Sequence, residues 1–201
     1  MANSGKQLAG LLKSRKAKDF AIAVVIGLVL LGVVLAFNRG KGIAEGDSRA
    51  VSVAAGLGPA PKVGSPAPDF RVQLLDGSYV RLSELKANPV WMVIWATWCP
   101  PCRAENPDVE AVYKEEKDNG LVVVGLDLGE PRKDVADYVK RTGLTYLIGL
   151  DYDQSIASQY RLTGLPSHFF IDKDGILREI RVGAMNKKTM KAKIEQYRIA
   201  Q

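Results

Sequence analysis

The sequence predicts an α/β domain: a mixed central sheet flanked by helices, with an N-terminal hairpin extension, preceded by one transmembrane helix. Three observations predict it. Residues 20–37 are an unbroken apolar run without a charge or a hydrogen-bonding side chain, which lacks the polar face of a soluble helix. Residues 90–95 and 121–127 are short apolar runs suited to strands buried on both faces. Between and after them, helix-period segments alternate with further strand signals, the pattern of a sheet covered by helices.

The segments before the domain are read from charge. The chain holds 28 Lys+Arg against 22 Asp+Glu, a net of +6, with a pI near 9.3. Of these, 8 basic and 3 acidic residues precede residue 62, leaving 20 and 19 for the rest. The domain is thus almost neutral and lacks the basic block that nucleic-acid binding requires, so no nucleic-acid partner is expected. Residues 1–19 form a basic N-terminus, with Lys6, Lys13, Arg15, Lys16 and Lys18 opposed by Asp19. The 18 residues of 20–37 span about 27 Å as a helix, enough for a bilayer core of about 30 Å. Arg39, Lys41 and Arg49 follow, mixed with Glu45 and Asp47. The positive-inside bias therefore predicts a single-pass protein of the cell membrane, N-terminus cytoplasmic and domain extracytoplasmic or periplasmic. The run exceeds the usual apolar stretch of a signal peptide, which favours an uncleaved signal anchor over cleavage after Val34-Leu35-Ala36. Residues 38–61 are rich in Gly, Ala, Ser and Pro and read as a flexible tether.

Residues 62–201 are the domain. Residues 70–74 and 79–82 flank Asp76-Gly77 and predict a hairpin. Residues 90–95 predict a central strand, with Trp91 and Trp95 in the core. Residues 108–118 are helix-like and closed by Asn119-Gly120, with Pro107 inside the same helix. A strand over 121–127 follows, then an amphipathic helix over 132–141 with Val135, Tyr138 and Val139 on one face. Residues 146–150 suggest a short strand and 155–160 a short helix. Thr163-Gly164-Leu165-Pro166 opens a strand over 168–171. The turn Asp172-Lys173-Asp174-Gly175 leads into another over 176–182, and 186–197 form a closing helix.

The only cysteines, Cys99 and Cys102, stand in Trp98-Cys99-Pro100-Pro101-Cys102. Two thiols and the single distant His168 cannot supply the four ligands of a structural zinc site. Covalent haem attachment needs His after the second Cys, and Arg103 is there instead. A structural disulfide with so short a loop restrains little unfolded-state entropy. A reversible dithiol/disulfide remains, with no metal and no cofactor beyond a redox-active disulfide between Cys99 and Cys102. The pair sits where a strand passes into a helix, so Cys99 meets unpaired backbone N–H groups that favour a thiolate. Pro100 and Pro101 are tolerated in that first turn and stiffen it.

These motifs, together with Val63-Gly64-Ser65-Pro66-Ala67-Pro68-Asp69-Phe70, Trp95-Ala96-Thr97, Arg103-Ala104-Glu105, Pro107, Gly164-Leu165-Pro166 and Phe169-Phe170-Ile171-Asp172-Lys173-Asp174-Gly175, resemble the thioredoxin-like proteins of the AhpC-TSA/Redoxin superfamily. More specifically, the chain is similar to the membrane-anchored branch of cytochrome c maturation reductases (ResA/TlpA/CcmG-like), over about residues 62–197. The resemblance implies a thioredoxin-like fold and a thiol-disulfide oxidoreductase. Cys99 would be the exposed nucleophile and Cys102 the resolving thiol. Pro166 would be a cis-proline beside them, leaving the Leu165 backbone free to pair with substrate. Trp98, Pro100 and Pro101 would border the docking surface. Implied partners are protein disulfides, apocytochrome c among them, and a membrane electron donor of the CcdA/DsbD kind. One departure stands out: thioredoxin's buried Asp, six residues before the first cysteine, is Val93 here, and the Glu that some relatives place between the cysteines is Pro100. Glu105 is the nearest acid, either a charge in the first helical turn or the group that assists proton transfer. His168 is expected on a strand face turned away from the dithiol.

Other functions remain open from sequence. The same dithiol serves a disulfide-forming oxidase or a general reductase of exported proteins. A thiol peroxidase needs Pro-x-x-x-Thr-x-x-Cys, where this chain has Met92 and Ala96. A redox-inert, membrane-tethered assembly module would leave the cysteines without a task.

Overall fold

A computed structural model of the chain describes residues 22, 24–30, 45–53 and 58–199. Residues 1–19 and most of the apolar run lie outside the described residues. Within the run, residues 22 and 24–30 are helical, and among the described residues no helix is long and apolar enough to cross a membrane.

The strands are β1 (Arg49–Ala50), β2 (Arg71–Gln73), β3 (Tyr79–Arg81), β4 (Val90–Trp95), β5 (Val122–Asp127), β6 (Leu147–Leu150), β7 (Gly164–Leu165), β8 (Ser167–Ile171) and β9 (Leu177–Val182). The helices are α1 (Pro100–Glu116), α2 (Arg132–Thr142), α3 (Ser155–Gln159) and α4 (Lys187–Ile199). The central sheet runs β6-β5-β4-β8-β9. β4, β5 and β6 are parallel, and β8 and β9 antiparallel. β2 and β3 form the expected hairpin as a separate two-stranded sheet, tied to the main one by a bridge from Leu74 to Gly149.

β4 is buried at every position because both faces of the sheet are covered. Trp91, Val93 and Trp95 point to one face, where Trp95 meets Tyr138 of α2 at 5.3 Å between ring centroids. On the same face Phe170 stacks on Trp91 at 5.7 Å and also touches Tyr197 of α4. Phe169 points to the other face, where it packs on Tyr160 at 4.9 Å, which in turn packs on Phe70. The parallel crossovers β4-α1-β5 and β5-α2-β6 step in one direction, so their right-handedness puts both helices on one face.

α1 runs from Pro100 through Pro107 to Glu116 as one helix. Its two opening prolines occupy positions whose N–H groups have no intrahelical acceptor in any case. Gly120, in a left-handed conformation at φ 89°, ends the stretch that follows, as Asn119-Gly120 indicated. Part of the stretch expected to be a tether, residues 45–53, lies on the domain: β1 pairs antiparallel with β7.

Candidate active site

Cys99 caps the N-terminus of α1 with an extended backbone, and its Sγ accepts a hydrogen bond from the Cys102 N–H at 3.3 Å. The two cysteines are joined by a disulfide, with Cα atoms 5.3 Å apart. On reduction the same N–H and the helix dipole stabilise negative charge on Cys99 Sγ. The resemblance implied an exposed Cys99. In the disulfide form neither cysteine has exposed surface, because Cys99 sits at the buried junction of β4 and α1 with its sulfur turned back to the helix.

Glu105 is not a first-turn surface charge. It lies three residues beyond Cys102 and therefore on the same helix face, and it is completely buried. One carboxylate oxygen, Oε2, accepts the Met185 N–H at 3.0 Å and lies 3.4 Å from His168 Nε2. The other, Oε1, has no hydrogen-bond partner among the described residues. His168 is buried too, and its Nδ1 accepts the Trp91 indole N–H at 3.3 Å. That acceptor role puts the proton of a neutral imidazole on Nε2, facing Glu105. The expectation that His168 faces away from the dithiol is thereby corrected. Its neighbours in alternation put it on the helix-covered face, directly across from Val93 in the β4–β8 register. The position where thioredoxin keeps an Asp is thus apolar here, and the polar group lies on the adjacent strand.

A further pair of acids supports the loop between β4 and Cys99. Glu130 accepts from both the backbone N–H and the hydroxyl of Thr97 at 2.6 Å. The buried Asp127 carboxylate accepts the Glu130 N–H at 2.9 Å, while its Oδ2 has no hydrogen-bond partner among the described residues. Burial, reinforced by the Glu130 charge beside it, pushes the Asp127 carboxyl up to about 8. Neither residue was singled out from sequence. The available signal was position: Asp127 ends a parallel strand at the edge where the loops of such sheets build sites.

The Leu165–Pro166 peptide bond is cis, as the resemblance implied. Leu165, Pro166 and Pro101 are buried, Pro100 is exposed, and Trp98 is 43% exposed. Leu165 is not free: Arg49 pairs with it and Ala50 with Gly164. The Arg49 guanidinium lies over the Trp98 ring, 5.6 Å from its centroid.

The Redoxin family profile matches residues 62–197, the span the motifs indicated. Thiol-disulfide oxidoreductase ResA of Geobacillus kaustophilus is 35% identical over 133 residues, covering 66% of this chain and 76% of the relative. ResA of Bacillus subtilis is 33% identical over 122 residues, covering 61% and 68%. Among solved structures, a thiol:disulfide interchange protein of the thioredoxin family from Chlorobium tepidum aligns with a TM-score of 0.62 at 29% identity, over 69% of this chain and 99% of its own.

Proposed function

This chain belongs to the Redoxin family, and on that premise we propose that it is a membrane-anchored, extracytoplasmic thiol-disulfide oxidoreductase that reduces protein disulfides, including that of apocytochrome c before haem attachment. The observation that carries the reading is the Cys99–Cys102 pair at the N-terminus of α1, in a chain that also holds a cis-proline at Pro166. Similarity to ResA proteins supports the activity. The apolar run at 20–37, with its basic N-terminal flank, supports the anchor and the outward orientation.

The Cys99 thiolate attacks one sulfur of the substrate disulfide. A Cys99–substrate bond forms, the substrate bond breaks, and the departing sulfur takes a proton. Glu105 then accepts the proton of the Cys102 thiol. The Cys102 sulfur attacks Cys99, and the second substrate sulfur leaves as a thiolate. Two electrons pass to the substrate, and the Cys99–Cys102 disulfide remains. His168, held by Trp91, positions the Glu105 carboxylate. A membrane dithiol donor of the CcdA/DsbD kind returns two electrons and two protons.

The direction of flow is tested by equilibrating the protein against glutathione or dithiothreitol buffers. A potential near thioredoxin's, about −270 mV, supports reduction, and one near about −120 mV supports a disulfide-forming oxidase. Reduction of a peptide carrying an internal Cys-x-x-Cys-His disulfide then tests the substrate. Reduction no faster than that of an unrelated disulfide peptide would leave only a general reductase.

A further inference from the structure

Arg49 touches both flanks of the dithiol motif at once. Its backbone stands opposite Leu165, one residue before the cis-proline. Its guanidinium covers Trp98, one residue before Cys99. The chain on either side is fastened down. The Glu45 carboxylate accepts from Arg181 at 2.6 Å and from the Asn186 N–H and side chain. The Gly46 N–H donates to the Ala184 carbonyl, and the Ala184 N–H to the Asp47 carbonyl, each at 2.7 Å. The Val51 N–H donates to the Thr163 carbonyl at 3.2 Å. Antiparallel alternation from that pair makes Arg49 and Leu165 the next bonded pair. The main-chain edge that an incoming extended peptide would use by strand addition is therefore already taken by the protein itself.

Two further features bear on this arrangement. Cys99 has no exposed surface, so a partner sulfur reaches it only after a neighbouring group moves aside. Residues 45–50 are all exposed, and only Val51 and Val53 of the segment pack on the core. Beyond the Glu45 side chain and the Arg49 guanidinium, residues 46–51 are held by backbone bonds, each a modest net contribution. A substrate strand that makes the same bonds replaces the segment at little net cost.

We propose that residues 45–51 are a displaceable strap occupying the protein-docking edge at Thr163–Leu165, in place of an extended substrate segment that carries a basic side chain over Trp98. The inference rests on the reading of Cys99 and Cys102 as a dithiol that exchanges with protein disulfides. A strap docked nine-tenths of the time lowers apparent substrate affinity about tenfold.

The test uses the full chain in detergent, reduced, and mixed in stopped flow with two oxidants. One is an extended disulfide peptide with an Arg beside its cysteine. The other is hydroxyethyl disulfide, which has no strand to pair. Arg49→Ala with Val51→Pro removes the cation over Trp98 and the donor to Thr163. The ratio of the peptide rate to the hydroxyethyl disulfide rate is expected to rise about tenfold. A free peptide of residues 45–53 added to that variant is expected to bring the ratio back down. An unchanged or lowered ratio in the variant overturns the strap, as does a free peptide without effect. If neither form reduces either oxidant, the oxidoreductase reading itself fails and takes the strap with it.

Discussion

Replacing Asp127 by Asn removes the titration of a carboxyl that the fold holds protonated well above its ordinary value of 3.8, up to about 8. The folded state binds more protons than the unfolded state between those two values, so stability falls across that window as pH rises. About four pH units at roughly 1.4 kcal/mol each set a ceiling of about 6 kcal/mol. Glu130 shares the site, and relaxation around a buried charge reduces the effect, so about 3 kcal/mol is the expected loss. The amide introduced by Asp127→Asn keeps an oxygen for the Glu130 N–H, now bonded at 2.9 Å, and never has to ionise. Urea unfolding of the oxidised protein at pH 5 and pH 8 measures the difference. About two thirds of that loss falls between pH 5 and pH 8, so with a slope of about 1–3 kcal/mol/M the wild-type midpoint falls relative to Asp127→Asn by roughly 0.6–2 M between those pH values. Titrating groups away from the site act equally on both proteins and cancel, whereas the Glu130 charge acts on Asp127 and its change is part of the measured difference. A midpoint difference that stays constant from pH 5 to pH 8 would show that the fold does not hold the Asp127 carboxyl protonated. Because Glu130 clamps Thr97 just before Cys99, the variant also reports how far that clamp depends on its buried neighbour.

Glu105→Gln is nearly isosteric and keeps an acceptor for the Met185 N–H, but it takes no proton. The resolving step should slow about 100-fold near neutral pH, read by rapid-quench thiol-disulfide exchange from pH 6 to 9; unchanged rates refute the assignment. His168→Phe removes Nε2 but keeps a ring beside Trp91. It is expected to slow the same resolving step with little change in far-UV circular dichroism, and an unchanged rate would leave His168 a packing residue only. Gly125→Ala places a Cβ 2.7 Å from Tyr146 Cε2 and 2.9 Å from Trp95 Nε1. Overpacking costs about 1–3 kcal/mol, which lowers the thermal midpoint by about 5–10 °C; an unchanged midpoint shows that the two rings give way freely.

The elements legible in the sequence were those with a sustained pattern. β4 and β5 appear as apolar runs, α2 as a 3.6-residue stripe, and both hairpins through their Asp-Gly turns. β1 was not legible. Two residues with no period carry no strand signal, and their pairing with β7 lies more than a hundred positions away, so the segment read as tether. The dithiol and Pro166 were marked by residue type and spacing. The acids were not, because a carboxylate's burial is set by what packs on it. Glu105 did carry a usable clue, three residues after a cysteine that faces the core, and so belonged to the buried face rather than the surface. His168 alternated correctly with Phe169, but period-two patterning alone does not say which face meets the helices.

In the proposed reaction Cys99 attacks protein disulfides and Cys102 resolves them. The most direct measurement is Cys102→Ala in the full chain, incubated with its membrane extract and resolved by non-reducing electrophoresis and mass spectrometry. Mixed disulfides on Cys99 that vanish with dithiothreitol, vanish in the Cys99→Ala/Cys102→Ala double variant and include apocytochrome c are the predicted result. Adducts absent from Cys102→Ala, or equally abundant when Cys99 is also replaced, would contradict it.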